Sequence, residues 1–126
     1  LTKFKGKPVL EDFWFSTCGP CVSNSKKFGK EMERFTEQNG ITLLCVSIDQ
    51  DKEQWHNAIK YYEIGGNHIK ACKRLHEDIY KAYSIYMFPH YMLVGPDGKI
   101  LINKLKDLSE GDDFYNQIHD ALEKKE

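Results

Sequence analysis

Apolar positions along the chain fall into short blocks whose spacing alternates between strand and helix periods. Pro8 opens the first block, and Val9 to Phe15 reads as a strand rich in aromatic residues, interrupted by Glu11 and Asp12. A strand covered on both faces has little exposed surface, so one of these two acids is expected to point inward. Past Cys21 the spacing lengthens: Val22, Phe28, Met32 and Phe35 fit a helix, which Asn39-Gly40 ends. Gly29, inside it, should weaken that helix by about 1 kcal/mol relative to alanine. Ile41 to Ile48 is a nearly unbroken apolar run, the mark of a buried parallel strand. Asp49-Gln50-Asp51 then offers N-cap chemistry, with Gln54 three residues beyond Asp51, and Trp55, Ala58, Ile59 and Tyr62 form an amphipathic stripe. Gly65-Gly66-Asn67 breaks this second helix, and His68-Ile69-Lys70 reads as a short extended piece. Leu75, Ile79, Ala82 and Tyr83 predict a third helix ending near Ser84. Tyr91 to Val94 and Ile100 to Lys104 make a hairpin around the turn Gly95-Pro96-Asp97-Gly98, and Ser109 and Asp112 introduce a last helix along Phe114, Ile118, Ala121 and Leu122.

The order β, α, β, α, short extended piece, α, β-hairpin, α predicts an α/β fold with a mixed sheet. The early βαβ units are parallel and the late hairpin antiparallel, with helices flanking the sheet. No internal repeat, low-complexity tract or second domain interrupts the 126 residues. Eighteen basic side chains against nineteen acidic ones leave a formal net charge of −1, which gives no basis for a nucleic-acid or anionic-membrane surface. No apolar run approaches the roughly 18 residues of a membrane span, and no signal peptide is recognisable. The abrupt opening Leu1-Thr2-Lys3-Phe4 reads as a processed or trimmed end, beyond which any targeting sequence would lie.

The chemistry concentrates at Cys18-Gly19-Pro20-Cys21, where the first strand gives way to the first helix. Two thiols at this spacing can close a small disulfide ring. The first sits at the N-terminal end of a helix, where backbone N–H groups and the helix dipole stabilise a thiolate, the form that attacks disulfides. A metal knuckle or an inert disulfide are the alternatives. A zinc site usually needs a second Cys-x-x-Cys or a histidine pair at matching spacing, and Cys45 and Cys72 do not supply one. Cys45 reads as a buried apolar-like residue, and Cys72 lies in a polar segment with nothing to pair it. Trp14 and Trp55 read as packing residues.

Asp12-Phe13-Trp14, then Cys18-Gly19-Pro20-Cys21, then Phe88-Pro89 directly before a hairpin strand resembles the thioredoxin superfamily. Val46-Ser47-Ile48-Asp49 with Trp55 in the next helix, and Phe88-Pro89-His90 running into Gly95-Pro96-Asp97-Gly98-Lys99, narrow the resemblance to TlpA/ResA-like thiol-disulfide oxidoreductases. That group carries an extra helix and extended piece before its cis-proline segment, and here an insert at about residues 50–72 fits. The resemblance implies one thioredoxin-like domain over residues 1–126, with Leu1 to Lys7 as the tail of a longer N-terminal hairpin. Thr17 stands where most relatives have tryptophan, and Cys45 stands where plain thioredoxins often place a lysine near the buried acid.

By that resemblance Cys18, the more exposed sulfur, attacks a partner disulfide, and Cys21, a turn further in, resolves the mixed disulfide. Asp12 is the expected buried proton carrier, its pKa raised by burial, with the alternative that Glu11 points inward and Asp12 is solvated. Pro89 is the expected cis-proline, with an ordinary strand-edge proline as the alternative, exposing the backbone of Phe88 so that a substrate segment aligns as an added strand, with Thr17, Gly19 and Pro20 forming the surface beside the sulfur. A Gly-Pro pair between the cysteines is typical of reductants such as thioredoxin, at about −270 mV, against about −120 mV for the oxidant DsbA. The resemblance therefore implies reduction of disulfide-bearing protein substrates, with electrons from an upstream thiol-disulfide donor. No cofactor beyond the disulfide is needed, a monomer is expected, and the setting is the periplasm or cell envelope of a bacterium. Three other readings rank below it: a disulfide oxidase or isomerase, a thiol peroxidase attacking peroxide, and a Cu(I) chaperone using Cys18, Cys21 and His90.

Overall fold

The computed structural model describes residues 6–124. Five strands form one sheet in the order β3-β2-β1-β4-β5: β1 (Val9–Trp14), β2 (Thr42–Ser47), β3 (Asn67–Lys70), β4 (His90–Val94) and β5 (Ile100–Ile102). β1 pairs in parallel with β2, and β2 with β3, whereas β4 runs antiparallel to both β1 and β5. Among the described residues three helices connect them, α1 (Gly19–Gln38), α2 (Lys52–Tyr61) and α3 (Lys73–Tyr83), and α4 (Asp112–Lys124) follows β5. A 3-10 turn, Leu108–Glu110, precedes α4, held by reciprocal capping between Asp107 and Glu110. The mixed sheet, the edge strand around His68 and the hairpin follow the expected order. The segment proposed as the end of a longer N-terminal hairpin lies outside the described residues up to residue 5. Of the remainder, the Gly6 N–H donates to the Pro96 carbonyl at 3.0 Å.

Because β1 occupies the centre, its side chains alternate between two buried faces. Leu10 and Trp14 join Leu43, Cys45, Tyr91 and Leu93 beneath Met32 of α1, Ala58 of α2 and Phe114 and Ile118 of α4. Val9 and Phe13 join Leu44, Val46 and Met92 on the other face, covered by Ala71, Ile79 of α3 and Ile85. This explains a departure from the sequence reading, which turned only one of the two β1 acids inward. No solvent face exists at the sheet centre, so Glu11 goes to one side, 6% exposed, and Asp12 to the other, partly buried. Burial pushes Glu11 from its ordinary 4.5 to about 6.

The third helix departs further. Its predicted apolar stripe was Leu75, Ile79, Ala82 and Tyr83, yet only Ile79 is buried. Leu75 and Tyr83 stay about two-fifths exposed, at 40% and 41%. α3 covers the sheet with one side chain and leaves most of its apolar surface facing outward.

Candidate active site

β1 runs out at Trp14, and five residues later, at Gly19, the chain is helical. The Cys18 N–H donates to the Phe15 carbonyl at 3.1 Å, closing a tight turn. Cys18 is itself the N-cap of α1: its backbone is extended, and its sulfur accepts from the Cys21 N–H at 3.2 Å. Pro20 occupies the first turn, where its missing N–H costs nothing, and no acidic side chain lies in that turn. Cys18 and Cys21 are joined as a disulfide with their Cα atoms 5.3 Å apart. Once reduced, a Cys18 thiolate would sit against first-turn N–H groups with no neighbouring carboxylate in that turn to oppose it.

As whole residues the two cysteines do not differ in exposure. The two cysteines are 5% and 6% exposed. What separates them is direction: Cys18 lines an open groove of about 700 Å³, and Cys21 does not. Thr17, Gly19, Pro20 and Phe88 line the same groove, with Phe15 meeting Phe88 edge to face at a centroid distance of 5.6 Å. The Phe88-Pro89 peptide bond is cis, and Pro89 leads directly into β4.

Asp49 fixes the turn ahead of Cys18. Its carboxylate is buried and accepts from the Ser16 N–H at 3.0 and 3.1 Å, from the Ser16 hydroxyl at 2.7 Å and from the Ser47 hydroxyl at 2.5 Å. The residue read from sequence as part of a helix cap instead ties the end of β2 to the approach to the disulfide. Asp51 alone caps α2, accepting from the Glu53 and Gln54 N–H groups.

On the sheet face that also carries the disulfide core, Asp12 pairs across the strands with Cys45 on one side and Tyr91 on the other. Its Oδ1 is buried with no hydrogen-bond partner. Burial, reinforced by repulsion from Asp107, raises its pKa from 3.8 to about 7. Burial and Asp12 together push the Cys45 thiol well up. Tyr91 is also raised, by burial and then by Asp12, and its hydroxyl accepts from Asn24 Nδ2 at 3.1 Å. Asn24 Nδ2 also reaches both Asp107 oxygens, at 3.1 and 3.2 Å. Burial works against ionisation of Asp107, but hydrogen bonds from Ser109 and Asn24 outweigh it and hold its carboxyl below the usual range. Asp12 is not sealed off. A cleft of about 380 Å³ between α1 and residues 61–65 is lined by Asp12, Cys45, Lys26, Gly29 and Glu33.

The sequence profile of the thioredoxin-like family matches residues 6–100. The chain belongs to the thioredoxin-like family. It is 27% identical over 122 residues to the thiol-disulfide oxidoreductase ResA of Bacillus subtilis (strain 168), covering 97% of this chain and 63% of that protein. The chain thus spans less than two thirds of that curated relative. The crystal structure of the thioredoxin domain of a thiol-disulfide oxidoreductase from Bacteroides vulgatus superposes with a TM-score of 0.80 at 35% identity, covering 95% of this chain and 82% of that one. The solution structure of a thiol:disulfide interchange protein from a Bacteroides species gives 0.79, also at 35% identity, over 95% and 76% of the two chains.

Within this thioredoxin-like chain, the register sets Cys45 directly opposite Asp12, in the place where the resemblance had led one to look for a lysine. The copper reading of His90 finds no support in geometry. Its ring packs edge to face on Phe13, on the sheet face away from the disulfide core, and its Nε2 lies 2.7 Å from the Asn103 carbonyl. Among the described residues, no three His, Cys, Asp or Glu side chains gather as a metal site. Cys72 is exposed and unpaired as a thiol, but its sulfur caps α3, accepting from the Leu75 N–H at 3.4 Å. Sequence reasoning missed Asp49, Asn24, and the residues His76, Tyr80 and Tyr86 that complete the groove beside Cys18. Only the two tyrosines left a signal, as aromatic residues outside the predicted apolar stripe of α3.

Proposed function

We propose that this chain is a thiol-disulfide oxidoreductase that reduces disulfides in partner proteins. The observation that carries the reading is the Cys18–Cys21 disulfide set at the N-cap of α1, with Cys18 alone opening onto a groove. In the reduced protein the Cys18 thiolate attacks one sulfur of a partner disulfide. A Cys18–partner bond forms, the partner's S–S bond breaks, and its other sulfur leaves as a thiolate. Cys21 loses its proton and attacks the Cys18 sulfur, re-forming the intramolecular disulfide and expelling the partner's second thiolate. Two electrons and two protons pass to the partner, and the protein ends in the oxidised state described above.

Asp12, raised to about 7 and open to the cleft, is suited to take the Cys21 proton and return it to solvent near neutral pH. Thr17, Gly19, Pro20 and Phe88 form the surface that receives the partner, and the backbone at Phe88-Pro89 aligns its strand. The Gly19-Pro20 pair favours the reducing end of the potential scale. The reading includes a single domain acting as a monomer, an extracytoplasmic setting and an upstream dithiol that re-reduces the pair. It is supported by the likeness to ResA and the Bacteroides proteins. Among the described residues no helix is long and apolar enough to cross a membrane.

Equilibration in dithiol buffers with mass-tag readout tests direction. A potential at or below about −220 mV supports a reductase, whereas one near about −120 mV would make the protein an oxidant. Cys21→Ser should accumulate a mixed disulfide with a partner protein through Cys18, and trapping through Cys72 instead would overturn the assignment.

A further inference from the structure

Resting on the oxidoreductase reading, we infer that the groove beside Cys18 is a side-chain pocket selecting partner disulfides whose cysteine is flanked by an aromatic or large aliphatic residue, with Tyr80 and Tyr86 as its selecting wall. One wall is Phe15 and Phe88, in edge-to-face contact. A second wall is Tyr80 from α3 and Tyr86 from the loop after it, whose rings meet edge to face at 6.1 Å, with His76 one helical turn before Tyr80. Cys18 lines the same groove as both pairs, and no Lys, Arg, Asp or Glu lines it.

Packing of this chain does not account for the second wall. Tyr80, on a helix that buries only Ile79, is 54% exposed, and Tyr86, in the loop after that helix, is 63% exposed. Two rings standing in water beside a reactive sulfur are surface that a ligand can cover. A partner sulfur must reach bonding distance of the Cys18 sulfur, so the residues flanking the partner's cysteine have to cross this groove. An apolar side chain there buries its surface against these rings, whereas a charged one is desolvated with no counter-charge among the lining residues. The groove's volume of about 700 Å³ holds a ring together with the backbone that carries it, within the range of about 300–1,000 Å³ usual for ligand pockets. Tyrosine is also enriched among the residues that dominate interface energetics, presenting a rigid apolar body with a polar tip to the rim.

The test uses symmetric disulfide-linked dimers of short peptides in which the residue beside the cysteine is Phe, Leu, Gly, Lys or Glu, so that either sulfur presents the same flank. The dithiol-reduced protein, freed of excess reductant, is mixed with each, and the second-order rate is read from the appearance of the monomeric peptide thiol, separated from its dimer by chromatography. The Phe and Leu peptides should react about tenfold or more faster than the Gly peptide, the discrimination one apolar group can give in an apolar pocket, with the Lys and Glu peptides slowest. In Tyr80→Ala/Tyr86→Ala the Phe-to-Gly rate ratio should collapse toward one, and in Tyr80→Phe/Tyr86→Phe it should persist. Both tyrosines are more than half exposed, so truncation opens no core cavity, and an unchanged urea midpoint checks this. Equal rates for all peptides, or a ratio that survives the alanine pair, overturn the inference while leaving the oxidoreductase reading intact. Failure of the wild-type protein to reduce even hydroxyethyl disulfide overturns that reading, and the inference with it.

Discussion

Replacing Asp12 by asparagine should make the oxidised protein more stable at pH 8 and leave it almost unchanged at pH 4. The wild-type carboxyl holds its proton up to about pH 7 in the folded chain, against an ordinary value of 3.8 once unfolded. Between those limits the folded state binds the extra proton, so stability falls as pH rises through the window and levels off above pH 7. At about 1.4 kcal/mol per pH unit the penalty reaches at most about 4 kcal/mol, and the partial exposure of Asp12 to the cleft reduces this to about 2–4 kcal/mol. Asparagine is neutral at every pH and close in shape to the protonated acid, so its Oδ1 inherits the same unpartnered place. Glu11, also raised, titrates in both proteins and cancels in the difference. Urea denaturation of both oxidised proteins at half-unit steps from pH 3.5 to 8.5 gives the difference curve. A flat curve, or an asparagine variant less stable at pH 8, would refute the assignment of Asp12 as a buried acid neutral near pH 7.

Asp49→Ala leaves the Ser16 N–H and two hydroxyls without their shared acceptor, and should cost about 2–4 kcal/mol, read by urea denaturation of the oxidised protein. A Cβ on Gly65 would collide with the Glu33 carboxylate. That carboxylate ends a flexible side chain, so Gly65→Ala should cost only about 1 kcal/mol, and Gly65→Ala in a Glu33→Ala background still less. In the reduced folded protein, iodoacetamide should label Cys72 readily and Cys45 only after unfolding, which tandem mass spectrometry of peptides resolves, because Cys45 is 1% exposed with its thiol pKa pushed up.

Strand and helix order was legible because the sheet sits at the centre of the molecule. A β1 run from Val9 to Trp14 and a β2 run from Thr42 to Ser47 put large apolar residues on both faces, which leaves few alternatives for their partners. The third helix was harder to read. Periodicity locates an apolar stripe but not its destination, and α3 keeps Leu75 and Tyr83 partly in water while burying Ile79. The reactive pair was readable from local spacing alone, since the cap at Cys18 and the proline beside it lie within four residues. The support around it was not. Asp49 reaches Ser16 across 33 residues of chain, and Asn24 reaches Asp107 across 83, so nothing in local sequence distinguishes them from ordinary caps and surface polars. Asp12 was legible as an acid in a covered strand. That Glu11 would be buried too requires knowing that both faces of β1 are occupied.

The groove at Cys18 and the cleft at Asp12 share no lining residue. One is framed by the aromatic pairs Phe15–Phe88 and Tyr80–Tyr86, the other by α1 and residues 61–65, so a partner seated in the groove leaves the cleft open to water. In the proposed reaction, sulfur exchange occurs at the first opening while the proton from Cys21 leaves by the second. The two movements therefore need not compete for the same space. A lysine in the place of Cys45 would hold the Asp12 carboxylate ionised and lower its pKa. The neutral thiol there instead leaves burial and Asp107 to set the value near 7, where the acid can accept a proton and lose it again within the same turnover.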